Sequence, residues 1–326
     1  MLTKIKLKSL FNVYDYNIDL KNHDGSMVKF ITAPNGFGKT TILDFIESAI
    51  KQSYDKFFMI PFKMLELYFD EAGSDFLYKY SVIREDETTL ASDTDLTQAL
   101  SKKLIIRLHR INNGDEILIE QFFIKQTPDG SFNIEGSNDN IKMFFVSHSC
   151  FYLDDKRMLR QKMDVVNETL RIEDLPTTSY PKEMRNLLEA PTKSQECESC
   201  INAFRDILNR CEFANKHLEI DKRFGFRFVA NDELHTILTL DQLSSGEKQI
   251  IIQVYELLFR AQSGTLVLID EPELSLHMMW QMNYLKNLSE IAQLRGFQCV
   301  VATHSPQIFN SMWSKSVDLF TLSNQE

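Results

Sequence analysis

Lys39 follows two closely spaced glycines in the run Ala33-Pro-Asn-Gly-Phe-Gly-Lys-Thr-Thr41, a grouping suited to holding the phosphates of a nucleotide. When a strand, a tight loop and a helix follow one another, loop amides and the positive helix end both face the anion. Residues 28–32 supply the apolar run, and Ile42, Leu43, Ile46, Ala49 and Ile50 recur at helical spacing behind the loop. Gly36 and Gly38 let the backbone curl without a Cβ in the way. Asn35, Gly36, Gly38, Lys39, Thr40 and Thr41 are therefore expected to bind nucleotide. Lys39 would reach the β- and γ-phosphates, and the Thr40 hydroxyl would ligate Mg²⁺. The pattern ordinarily begins with glycine, and Ala33, the smallest residue with a Cβ, stands there instead.

Carboxylates that could hold a cation or activate water come much later. Thr265-Leu-Val-Leu-Ile-Asp270 is a continuous apolar run of the kind that forms a parallel strand covered on both faces. Asp270 at its carboxyl end is expected to hold Mg²⁺ through water or together with Thr40. Glu271 follows directly and is placed to polarise an attacking water as general base. A second buried strand over 297–302 runs into Thr303-His304-Ser305-Pro306. His304 is thus a second candidate catalytic group at the carboxyl edge of a sheet, where ligands bind in open α/β folds.

A third stretch, Leu243-Ser-Ser-Gly-Glu-Lys-Gln249, precedes Ile250, Ile251, Ile252, Val254, Leu257, Leu258 and Phe259. That run is apolar nearly all round, which predicts a buried helix. At its N-terminus the Ser244 hydroxyl, Ser245 and the Gly246 amide would present donors to an anion.

Together these motifs resemble those of ABC-type ATPases, and within them the soluble SMC, RecF and OLD-related group. The resemblance rests on Gly36, Gly38, Lys39 and Thr40 for Walker A, and on Leu243, Ser244, Gly246 and Gln249 for the signature. Asp270 and Glu271 match Walker B, and His304 the switch histidine. Asp-Glu-Pro-Glu-Leu-Ser-Leu-His277 and Ala-Thr-His-Ser-Pro-Gln307 are similar to bacterial ATP-binding proteins labelled AAA, many paired with nucleases in phage defence. The resemblance implies an α/β fold: a P-loop NTPase of ABC type, one ATPase domain over 1–326, with a β-rich lobe and an inserted helical lobe. It implies ATP and Mg²⁺, hydrolysis to ADP and phosphate, and a homodimer in which Ser244 reaches the γ-phosphate held by the other subunit. The D-loop ends in His277 where transporter ATPases have aspartate. Lys156 stands where the glutamine loop is expected to carry glutamine, which leaves Gln161 as a substitute.

Between Walker A and the signature, 64–145 reads as a β-meander lobe: 65–69, 77–82, 104–108 and 117–124 alternate as strands, with turns at 112–115 and 128–130. Residues 157–222 read as a helical lobe broken near Pro176, Pro181 and Pro191, and 224–228 with 236–240 as a hairpin. Cys197-Glu-Ser-Cys200 lies in the helical lobe. It has half the ligands of a zinc site, completed only by a second copy, and its spacing equally suits a helix face on a core. Five cysteines scattered through 326 residues are no disulfide framework.

A chain that is 43% hydrophobic can bury a large core. With no apolar run near ~18 residues and no leader pattern, a cytoplasmic protein without a membrane span is expected. A net charge of −10 restricts direct nucleic-acid binding to local basic runs such as 102–103, 107–110 and 222–223. The β-meander has no counterpart in a transporter subunit, and the 22 residues after His304 cannot hold a nuclease domain. The expected function is an ATP-dependent dimerisation switch controlling a separate effector such as a nuclease. The alternative is a RecF-like ATPase that clamps DNA.

Overall fold

Along β1 (Leu2–Leu10), Ile5, Leu7 and Leu10 are fully buried, Lys4 and Lys6 are half-buried and Lys8 is exposed. A period of two with one apolar face makes a strand that lies on a core. The computed structural model describes residues 1–21, 24–71, 76–87, 101–127, 131–153, 176–190, 194–274, 276–310 and 312–324. The chain groups into two compact units. One comprises Met1–Gly25, Lys29–Cys150 and Ser316–Glu326, the other Ser26–Val28 and Phe151–Lys315.

In the first unit β1 is followed by β2 (Tyr14–Asp19), β3 (Val28–Thr32), α1 (Lys39–Lys51), α2 (Asp55–Met59), β4 (Met64–Asp70) and β5 (Leu77–Glu87). Then come β6 (Ser101–Asn112), β7 (Asp115–Gln126), β8 (Phe132–Glu135) and α3 (Asp139–Val146). Seven of the strands form an antiparallel sheet in the order β2-β1-β4-β5-β6-β7-β8. Its inner face carries Leu67, Tyr80, Val82, Leu104, Ile106, Phe122 and Ile124, all fully buried. The strands read from alternation at 65–69, 77–82, 104–108 and 117–124 are present. The β6–β7 hairpin closes through Asn113 and Gly114 at φ 50° and 94°, the left-handed pair that matches strand twist. The turn expected at 128–130 lies outside the described residues. α1 buries Ile42, Leu43, Phe45, Ile46 and Ala49 completely, and the rings of Phe45, Phe57 and Phe62 stand 4.9–5.8 Å apart. Each buried Ile, Leu or Phe among them contributes roughly 1.5–3 kcal/mol to holding the helix in place.

The second unit takes in all but the first residue of β9 (Cys150–Leu153) and contains α4 (Pro176–Glu189), α5 (Gln195–Arg210), β10 (Lys216–Asp221), β11 (Gly225–Ala230) and β12 (Ile237–Leu238). It continues with α6 (Ser245–Phe259), β13 (Leu266–Asp270), α7 (Met278–Arg295) and β14 (Gln298–Thr303). β13 and β14 pair in parallel, with Asp270 opposite Ala302. The hairpin expected before the signature is there, pairing Phe228 with Leu238. The helical reading up to 222 overran, because Lys216–Asp221 is a strand that pairs along the whole of β11. Its apolar residues Leu218 and Ile220 alternate, a signal too short to stand out beside the preceding helix. Pro181 does not break α4 but lies inside it. Packing there is close: a Cβ on Gly225 would fall 1.7 Å from the Pro181 carbonyl oxygen. Pro191 is outside the described residues, as are Lys156 and Gln161. The chain then returns to the first unit, where β15 (Ser316–Asp318) pairs in parallel with β3 and is followed by α8 (Leu319–Ser323). Among the described residues no helix is long and apolar enough to cross a membrane.

Candidate functional site

All five residues of β3 are buried, and the chain leaves it through an exposed turn at Pro34, Asn35 and Gly36 before entering α1 at Lys39. Gly36 and Gly38 have φ 90° and 84°, the left-handed region that side chains with a Cβ disfavour. A Cβ at Gly38 would also stand 2.6 Å from Leu10 Cδ2, so the buried Leu10 side chain would have to shift to admit one. Lys39 is buried, and its Nζ donates to the carbonyls of Ala33 at 2.9 Å and Pro34 at 3.3 Å. The ammonium is thus held within the curl of its own loop, where an anion could exchange for the carbonyls. Thr40 and Thr41 are half-buried in the first turn of α1. Tyr16 fixes the loop from the side by donating its hydroxyl to the Phe37 carbonyl at 2.9 Å.

In the second unit, Asp270 is half-buried at the carboxyl end of β13, whose other residues are buried. Glu271 has φ 44° and donates its N–H to Ala302 at 2.9 Å. A non-glycine residue in that region carries strain, which concentrates where side-chain placement matters. The Glu271 carboxylate lies 3.7 Å from His304 Nδ1, so two of the expected catalytic groups meet.

Sequence reasoning gave no role to Glu273, the residue at the centre of this cluster. Its side chain is only 4% exposed, and Oε1 stands 3.1 Å from His304 Nδ1. The same oxygen accepts from the Thr303 hydroxyl at 2.6 Å and from the backbone of His304 at 2.9 Å and Ser305 at 3.2 Å. The signal available was its place two residues after Glu271, but its partners lie thirty residues on. Gln249 ties in the signature helix by donating to the Pro272 carbonyl at 3.2 Å.

Ser244 caps α6: its Oγ accepts from the Glu247 N–H at 3.3 Å while Glu247 accepts from the Ser244 N–H at 2.8 Å. This reciprocal box spends an acceptor of the hydroxyl and leaves its proton for another partner. Ser244, Ser245 and Gly246 line a cavity of about 760 Å³ together with Arg210, His277 and Trp280. Lys216 Nζ stands 2.8 Å from Glu247. Burial pushes the Glu247 carboxyl up, but hydrogen bonds from Lys216 and Ser244 outweigh it and hold the group below its ordinary 4.5. A depressed folded-state value means stability that is present above pH 4.5 and lost as pH falls through the folded value. Glu247→Gln should therefore melt lower than wild type at pH 7, by on the order of 1 kcal/mol. Melting curves should converge as the pH drops below 4.5.

Cys200 is buried on α5, where burial pushes its thiol up, and Arg295 approaches its sulfur at 4.0 Å. Among the described residues no three metal-ligating side chains of His, Cys, Asp or Glu cluster. The basic runs carry matched partners: Lys103 lies 4.0 Å from Glu85, Arg107 donates to Gln121 and Arg223 pairs with Asp221.

Residues 34–310 match a protein family described as "AAA domain, putative AbiEii toxin, Type IV TA system". The retron Ec83 probable ATPase of Escherichia coli is 33% identical over 97 residues, covering 26% of this chain and 18% of that protein. Protein ea59 of Escherichia phage lambda is 31% identical over 92 residues, 28% of this chain and 17% of its own length. These alignments thus span less than a fifth of either relative. Among solved structures, an SMC head bound to the C-winged helix domain of ScpA is similar at TM-score 0.44 and 13% identity, covering 94% of this chain and 90% of that one. A dimeric bacterial ABC transporter cassette is similar at TM-score 0.35 and 15% identity, covering 97% and 94%.

Proposed function

Since the chain belongs to the AAA-domain family that residues 34–310 match, we propose that it binds and hydrolyses ATP as a cytoplasmic, ATP-dependent dimerisation switch controlling a separate effector. The observation that carries this reading is Lys39, buried in the curl of a glycine turn ahead of a buried helix. Lys39 and the amides of Asn35, Gly36 and Gly38 hold the β- and γ-phosphates. Thr40 and Asp270 offer hard oxygen donors of the type Mg²⁺ takes, and they would hold that ion. When bound, it neutralises charge that develops on the transferring phosphoryl group.

Glu271 takes a proton from the attacking water as a new oxygen–phosphorus bond forms and the bond to the β-phosphate oxygen breaks, leaving ADP and phosphate. His304 contacts the γ-phosphate. Ser244, Ser245 and Gly246 act on the γ-phosphate held by a second copy, so each site is complete only in the dimer. The cavity beside Ser244 supports that role by leaving room for a ligand end from outside the subunit. The local likeness to a retron probable ATPase supports the ATPase part of this reading; an effector such as a nuclease and a place in phage defence complete the proposal. On the basic runs Lys103 pairs with Glu85 and Arg107 is engaged by Gln121 within its own sheet, which lends no support to direct DNA clamping. Two assays on the purified full chain test the reading. Phosphate should be released from Mg-ATP, and sedimentation should show dimers with ATP and monomers without it. Absence of nucleotide-dependent phosphate release would contradict it.

A further inference from the structure

Glu273 sits where a buried carboxylate has one evident purpose. It is held rigidly by the Thr303 hydroxyl and two successive backbone N–H groups, all on one oxygen, and that oxygen is 3.1 Å from His304 Nδ1. Placing a carboxylate out of water is costly unless its hydrogen bonds are made; here Oε1 takes its donors from the turn that carries His304, while Oε2 is buried with no hydrogen-bond partner among the described residues. Glu271 is the more distant neighbour of the same nitrogen, at 3.7 Å. It is also the more exposed one, with a side chain 27% exposed against 4% for Glu273.

We propose that Glu273 is a positioning residue for the hydrolysis: it accepts the Nδ1 proton of His304, fixes the imidazole's tautomer and orientation, and leaves Nε2 as the edge that meets the nucleotide. This rests on the ATPase reading for its purpose but not for its geometry. A carboxylate beside one ring nitrogen determines which face of a histidine does the chemistry. Glu271 is left free to serve the water. The cluster is then a relay in which one glutamate acts on water and the other acts only through His304.

Nitrogen NMR of the histidine-labelled full chain reads this directly, with the His304 signals assigned by their loss in His304→Ala. Neutral His304 should carry its proton on Nδ1. A proton on Nε2, or rapid averaging between the two, would overturn the proposal. That readout needs no hydrolysis, so a chain that releases no phosphate removes the ATPase reading and leaves the tautomer result standing. In the hydrolysis assay Glu273→Gln keeps an oxygen for Thr303 and the two amides but loses the charge. It should lower kcat by ~10-fold or more at unchanged KM for ATP, and in a His304→Ala background it should bring no further loss. Wild-type kcat in Glu273→Gln, or losses that simply multiply in the double variant, would show that Glu273 does not act through His304.

Discussion

Glu271→Gln should lower ATP hydrolysis by ~10²-fold or more while ATP still binds. The amide has the same shape as the carboxylate and can hold the left-handed backbone at φ 44° with its hydrogen bond to Ala302, so the turn after β13 is preserved. What it lacks is the capacity to take a proton from water. Because the nucleotide is then held without being consumed, the variant should accumulate as the ATP-bound dimer, visible as a sedimenting species that persists after free ATP is removed. Hydrolysis at the wild-type rate would move the role of base elsewhere in the cluster.

Lys39→Ala should abolish ATP binding, read by fluorescence of a labelled nucleotide. In the structure the ammonium satisfies the carbonyls of Ala33 and Pro34 from inside the loop, and no other cation of the turn could replace it against a triphosphate. Gly36 and Gly38 would still curl the backbone, which separates this loss from unfolding. Unchanged affinity would mean that the loop is a turn before a core helix and nothing more.

The parts of the site readable in the sequence are those whose cause is local. A strand, a glycine turn and a helix follow one another over 28–51, and Asp270 with Glu271 ends a run of buried apolar residues; neither needs knowledge of the rest of the chain. The capping role of Glu247, three residues after Ser244, was equally local and went unread beside the anion-donor reading of the same residues. Glu273 was illegible for a different reason. Its hydrogen bonds come from Thr303, His304 and Ser305, which the parallel pairing of β13 and β14 brings within reach. The strand β10 likewise owes its form to the full-length register with β11, a tertiary effect that overrides a weak local preference. Pro181 stays inside α4, though local rules suggest a break there.

The central claim, that each ATP site is shared between two copies, is tested most directly by mixing two inactive variants. Ser244→Arg blocks the donor offered to the partner's γ-phosphate, and Lys39→Ala removes the phosphate loop's cation. Each should be inactive alone. In a mixed dimer one of the two sites still joins an intact loop to an intact signature, so mixing should restore phosphate release, to at most about half of wild type if sites act independently. Full activity of Ser244→Arg by itself would show that the site is complete within one chain and would contradict the account.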